Sequence, residues 1–403
     1  MKHLKSFFSD LFERISFFFS SAEQKQIRRV LNAIDQYYED PSLDRLQKVS
    51  GQIWTGEKRR AELRTYAEYQ QPADDQKKDD RAEIQFVIDE IRKIHPDKGA
   101  CPSLDSLERN MNSIVLIVRK KDLLWDEQKR MYELRSDKLR NRTFYIEKEK
   151  SSVCPDSKYA EQQSAESLGT GFFIQSDVIL TAAHVINPPF SPLIIDTHAT
   201  ETSSGADEIR FVTNYKVTAE DAREEKIFIT KEDVYRPARG RALLAGQWAS
   251  LGADWAMIKV EKENGEPIKD TEDQSVVGWK TGVEMGEKVY CLGHGFGLPL
   301  KMTMSGQVVR LPNGKDHFDC DLDVFSGNSG SPVFSAEDHR VIGILIRGER
   351  NFIFGPHEAH DGKKCLLPST ASGIGEREEC QVMDPIGKLL FNKNETKNKK
   401  SFV

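Results

Sequence analysis

Three short segments carry residue types that could do chemistry together. Gly169-Thr-Gly-Phe-Phe-Ile leads on through Thr181-Ala-Ala to His184; Gly252-Ala leads to Asp254 ahead of Trp-Ala-Met-Ile-Lys-Val; Phe325-Ser-Gly327-Asn-Ser329-Gly-Ser-Pro332 runs into Val-Phe. A serine hydroxyl is a poor nucleophile at neutral pH and needs a base to take its proton as it attacks. His184 can be that base through one ring nitrogen, with Asp254 on the other fixing the tautomer and stabilising the imidazolium. Glycines on both sides of Ser329 allow a tight turn that points two amides the same way. The N–H groups of Gly327 and Ser329 are then the natural donors to a tetrahedral oxyanion. Each segment alone reads as ordinary: a histidine ending a strand, an aspartate in a turn, a Gly-Asn-Ser-Gly turn. The three together, in the order His, Asp, Ser within one β-rich region, point to acyl transfer on Ser329.

The elements that must position these residues are short strands. Dense β-branched or aromatic runs recur at 113–118, 170–174, 178–180, 256–260, 288–292, 306–311, 331–334 and 341–346, separated by Gly, Pro, Asn and Asp. That spacing predicts an all-β barrel or sandwich. Two long polar stretches, about 119–166 and 188–240, interrupt it; stretches that long are functional loops or carry structure of their own. There is no internal repeat at a fixed period.

Residues 1–100 read differently, as a helical module without a catalytic constellation. Leu4, Phe7, Phe8, Leu11, Phe12, Ile15, Phe18 and Phe19 form one amphipathic stripe. Asp10, Glu13 and Arg14 break its likeness to a signal peptide. The stripe 4–19 predicts a helix packed on the rest of the protein, or one that docks on a protein partner or a membrane surface. A capping box at Ser21–Gln24 opens a second helix, a polar linker covers 71–80, and Ile84, Val87, Ile88, Ile91 and Ile94 mark a third.

Composition narrows the function classes. A chain of 403 residues suggests two or three domains. Lys and Arg number 58 against 64 Asp and Glu, a net charge of −6, so no broad basic field exists to bind a nucleic acid. No apolar run approaches the roughly 18 residues of a membrane helix. Residues 393–403 read as a basic, solvated tail. The six cysteines contain no Cys-x-x-Cys pair, which argues against zinc. Buried free thiols are the expectation, and Cys365 with Cys380 is the one pair considered for a bridge. The expected compartment is the cytosol, with export that needs no cleavable signal, including delivery into a host cell, as the alternative.

The motifs TAAH, ADWAMIKV and GNSGSP resemble the three catalytic motifs of trypsin-like serine peptidases of the chymotrypsin superfamily, nearer to bacterial glutamyl endopeptidases and HtrA-type proteases than to vertebrate digestive enzymes. LGTGFFI before the histidine and LGHGFGLPLKMTMSGQVV before the serine support this, and Cys154-Pro-x-x-Lys-Tyr-x-x-Gln does so more weakly. The likeness covers roughly 107–350. It implies a protease domain over 107–392 made of two antiparallel β-barrels, with His184 and Asp254 from the first and Ser329 from the second. It further implies peptide-bond hydrolysis through an acyl-enzyme, on protein or peptide substrates, without metal or cofactor. Val185 stands where many trypsins have a cysteine. Asn328 stands where they have the aspartate that pairs with a new amino terminus, so activation by that route is not expected.

The resemblance also places a specificity pocket. Its floor would be Asp323, which favours Lys or Arg in the substrate. Glutamyl endopeptidases can carry an Asp at this spacing that does not read the substrate, and Leu345 stands where they have a histidine that binds the substrate carboxylate. Acidic specificity is therefore disfavoured, and basic and apolar or small side chains both stay open. Arg347 and Gly348 would pair with the substrate backbone. The competing reading is a catalytically silent, protease-like binding module, or an adaptor acting through the helical N-terminus.

Overall fold

The structure is a computed structural model that describes residues 81–82, 102–146, 149–155, 157, 159–186, 208–216, 226–239, 243–247, 253–266, 268, 275–311, 316–348, 352–358, 362–368 and 377–390. The amphipathic stripe 4–19, the capping box, the helix expected after Arg81 and the basic tail lie outside the described residues.

Twelve strands build two barrels. The first contains β1 (Ile114–Arg119), β2 (Gly169–Gln175), β3 (Val178–Thr181), β4 (Ile209–Val212), β5 (Val234–Pro237) and β6 (Trp255–Lys262). The second contains β7 (Lys288–Gly293), β8 (Lys301–Arg310), β9 (His317–Cys320), β10 (Pro332–Ser335), β11 (Val341–Arg347) and β12 (Glu378–Val382). Neighbours in the first run β3-β2-β1-β4-β5-β6, and β6 closes on β3; in the second they run β9-β8-β7-β10-β11-β12, and β12 closes on β9. All pairs are antiparallel, so the two barrels have the same connectivity. Closure pairs every strand of each six-strand ring with two neighbours.

The texture of β1 follows from where it sits. Alternate side chains leave opposite faces of a strand. Val115 and Ile117 enter the first barrel's core beside Phe173, Ile179, Phe211 and Ile258. Leu116 and Val118 face outward into a second apolar cluster with Leu134, Val212 and Ile229. Both faces are covered, so the run is apolar without interruption. The outer cover is a three-stranded sheet of Leu123–Asp126, Met131–Leu134 and Ile227–Ile229. The stretch 119–166 thus carries structure of its own.

The stretch 188–240 is not simply a loop: it supplies the barrel strands β4 and β5. In β4, Ile209 and Phe211 enter the core while the buried Arg210 pairs with Glu263. That arginine, a charged residue in the middle of a four-residue strand, masks the apolar pattern.

Helix α1 (Pro102–Asn112) precedes β1 and buries Leu107 and Met111. Asn110 Nδ2 donates to the Tyr290 hydroxyl at 3.1 Å and to the His339 carbonyl at 2.9 Å, which fastens the helix to the second barrel. The domain boundary expected at residue 107 therefore falls inside an element that is part of the folded unit. Further upstream, Arg81–Ala82 adds to the edge of β8 opposite Thr303 and Met302.

The cysteine pairing differs from the expectation. Cys365 is bonded to Cys154, not to Cys380. Alternation along β12 sends Cys380 into the second barrel's core, where its sulfur lies 3.6 Å from Cys320 Sγ. Cys365 instead sits on a hairpin of Phe352–Glu358 and Lys364–Pro368, where Val153 and Leu366 form a bridge and the Cys154 N–H donates to Leu366 O at 2.9 Å. Cys291, Cys320 and Cys380 are free and buried.

Candidate active site

His184 lies on α2 (Ala183–Ile186), a single turn entered directly from the end of β3. Asp254 immediately precedes β6. Because β3 pairs with β6, with Thr181 opposite Ala256, the end of one strand and the start of the other lie side by side. This register brings together two residues 70 apart. Asp254 Oδ2 is 2.6 Å from His184 Nδ1, and Oδ1 accepts the His184 backbone N–H at 3.0 Å. Two bonds from one carboxylate fix the ring's position and its tautomer. The carboxylate is buried and the imidazole is 37% exposed, so the ring can meet a substrate while its partner stays dry.

The second barrel reaches this pair as well. The Asp254 backbone N–H donates to Gln381 Oε1 at 3.2 Å, and Gln381 Nε2 donates to Asp316 O at 2.8 Å. Gln381 lies on β12 and is fully buried.

Ser329 sits in the turn that leads into β10. Asn328 N–H donates to Phe325 O, Ser331 N–H to Asn328 O, and Gly330 N–H to Leu345 O of β11. Gly327 and Gly330 have φ of +94° and +88°, a region costly for residues with a Cβ. Gly330 is also required by space: a Cβ there would lie 2.1 Å from Thr170 O and 2.2 Å from Thr181 Oγ1. The two barrels meet at this point.

Thr170 joins them chemically. Fully buried on β2, it donates its N–H to Ser329 O at 2.9 Å and its hydroxyl to Gly327 O at 2.9 Å. The same hydroxyl accepts the His294 N–H at 3.1 Å. Beside it, a Cβ on Gly169 would lie 2.7 Å from Val185 Cγ2 and 3.0 Å from Ser329 O. The histidine's helix and the serine's peptide thus converge on one stretch of β2. Among the described residues, the N–H groups of Gly327 and Ser329 donate to no backbone carbonyl.

Asn328 is buried and bonded within the turn: Nδ2 donates to Phe325 O at 3.1 Å and Oδ1 accepts from Ser331 Oγ at 3.3 Å.

On the specificity side, Asp323 is half-buried and Leu345 packs in the second barrel's core. Arg347 and Gly348 stand exposed at the end of β11, with Arg347 Nε 3.4 Å from Glu379 Oε2. A Cβ on Gly348 would lie 2.1 Å from Glu378 Oε2, so a second, buried carboxylate flanks this end of the strand. Sequence reasoning misses Glu378 and Gln381, because Arg377-Glu-Glu-Cys-Gln-Val reads as charged surface rather than as a strand. It misses the role of Thr170 too, although that residue lies inside a segment already singled out.

The model of the trypsin-like peptidase domain matches residues 169–344, a span that includes His184, Asp254 and Ser329. No curated protein matches the chain by sequence. Among solved structures, the HtrA-type protease AlgW with a decapeptide matches with a TM-score of 0.36 and 13% identity, over 72% of this chain and 66% of that one, just under two thirds of its length. The Rv3671c protease of M. tuberculosis H37Rv, in its inactive form, matches with a TM-score of 0.33 and 12% identity, over 71% of this chain and 91% of that one. Two barrels of identical connectivity, with the three motif residues in the matched span, make the region from β2 into β11 a trypsin-like peptidase domain.

Proposed function

We propose that the protein is a serine endopeptidase that cleaves peptide bonds through an acyl-enzyme on Ser329. The observation that carries this reading is the pairing of His184 Nδ1 with the buried Asp254, next to a turn whose Gly327 and Ser329 N–H groups have no backbone acceptor among the described residues. In this reading the other ring nitrogen of His184 takes the serine proton as Oγ attacks the carbonyl, then returns it to the leaving amine. Asp254 stabilises the imidazolium formed between these steps. The Gly327 and Ser329 N–H groups stabilise the oxyanion, and water on the same base releases the acyl group.

The substrate strand would add to the exposed end of β11 at Arg347 and Gly348. Asn328 satisfies itself inside the turn, which supports competence of the full-length chain without a new amino terminus. The Cys154–Cys365 bond favours an oxidising compartment, and so export, over the cytosol. Residues 1–100 would gate the protease or recruit a partner to it.

A fluorophosphonate probe, followed by peptide-library profiling of wild type against Ser329→Ala, tests the reading. We expect Ser329 to be labelled in the wild type. We expect Ser329→Ala and His184→Ala each to lose several orders of magnitude in kcat with the fold intact. A folded wild type that neither labels nor cleaves would instead be a binding module.

A further inference from the structure

We propose that Phe296 is a positioning residue: its N–H and ring together hold the Ser326–Gly327 peptide so that the Gly327 N–H faces the oxyanion. This rests on Ser329 being the nucleophile.

The Phe296 N–H donates to Ser326 O at 2.6 Å. A peptide group is planar and trans, so the Ser326 carbonyl and the Gly327 N–H point to opposite sides. Tying the carbonyl to the 294–297 loop therefore turns the Gly327 N–H away from that loop. Half a turn of this one peptide would replace the donor with a carbonyl oxygen, which repels an oxyanion. Gly327 has no side chain to resist such a rotation, so the restraint must come from outside the residue. Thr170 holds the next carbonyl, that of Gly327, but not this one.

Phe296 is itself held in a costly shape. Its φ of 52° and ψ of 23° are left-handed, a region unfavourable for a residue with a Cβ. The ring compensates: it stacks on Phe352 at 4.7 Å and 11°, and packs against Phe325 at 4.6 Å and Phe144 at 4.9 Å. The loop is pinned on both sides, since Ser164 Oγ donates to Phe296 O at 2.5 Å and the Tyr215 hydroxyl, whose one proton is shared with Gln163 O at 2.8 Å, lies 3.1 Å from Gly297 O. The ring is a peg that keeps the strained N–H on its acceptor.

The test compares Phe296→Ala, Phe296→Gly and Phe296→Tyr in the full chain. Glycine adopts the left-handed shape freely, whereas alanine does not. Loss of one oxyanion donor costs about 10²- to 10³-fold in kcat. The Ala variant should therefore lose about 100-fold in kcat with KM within about twofold. The Gly variant should lose about tenfold, and the Tyr variant should match wild type. A role in packing alone predicts the reverse order, with Gly no better than Ala. The 31P NMR signal of Ser329 phosphonylated by the fluorophosphonate adds a second readout: it should shift in the Ala variant and not in the Tyr variant, because the phosphoryl oxygen occupies the oxyanion position.

A wild type not phosphonylated at Ser329 overturns the nucleophile assignment on which the inference rests. A phosphonylated wild type whose Ala variant keeps its rate and 31P shift, or whose Gly variant is no better than Ala, overturns the role of Phe296. Should the Ala chain not fold, the Gly chain decides: wild-type kcat and 31P shift refute the inference, and a tenfold loss at unchanged KM supports it.

Discussion

Replacing Cys154 and Cys365 with alanine removes a link between residues 211 apart. Closing a loop of that length lowers the entropy of the unfolded chain by the equivalent of about 5 kcal/mol at 25 °C, while native disulfides typically contribute about 2–5 kcal/mol. The lower part of that range applies here, because the same junction is held by other bonds. The Cys154 N–H still donates to Leu366 O, and Ser151 Oγ to Lys364 O. A loss of about 3 kcal/mol is expected, or about half a molar in the guanidinium midpoint for a domain of this size. The assay is guanidinium unfolding followed by tryptophan fluorescence, with and without reductant. Wild type should shift down with reductant, and the double variant should ignore it. Alkylation of the denatured, unreduced chain should spare Cys154 and Cys365 while labelling Cys291, Cys320 and Cys380. A wild-type curve indifferent to reductant, or protection of Cys380 in place of Cys154, would refute the pairing.

Two further expectations follow from buried or flanking charge. Burial pushes the His294 imidazole down to about 3, outweighing its hydrogen bond to Leu298 O, so the folded protein keeps it neutral while the unfolded chain takes up a proton below about pH 6.5. Its contribution to stability is complete above that pH and is lost as the pH falls toward 3; by pH 5 the loss is about 2 kcal/mol. Unfolding midpoints at pH 7 and pH 5 should therefore separate more in the wild type than in His294→Asn, and an equal drop in both would count against the effect. At the pocket, Asp323→Ser should abolish any preference for Lys or Arg before the cleaved bond. Unchanged cleavage after basic residues would show that Asp323 does not line the pocket, and a library profile dominated by Glu or Asp would sink the specificity argument altogether.

The sequence by itself determined the segments with local character. His184, Asp254 and Ser329 each lie in a stretch whose neighbours declare it: an apolar strand before the histidine, another after the aspartate, glycines around the serine. The chemistry of those side chains could be read before any contact was known, and so could most barrel strands with an unbroken apolar run. Where a strand hid a charge, as in β4 with Arg210 or β12 with Glu378 and Glu379, periodicity failed, because the partner that makes such a residue tolerable is distant in sequence. Only the tertiary structure decided which cysteine Cys365 meets, that both barrels share one connectivity, and that Thr170, Gln381 and Phe296 support the turn and the carboxylate. Each of these depends on barrel closure, which sets residues from separate strands against one another. The identity of a neighbour across a closed sheet is fixed by register and twist summed around the ring, and no local window of sequence contains that sum.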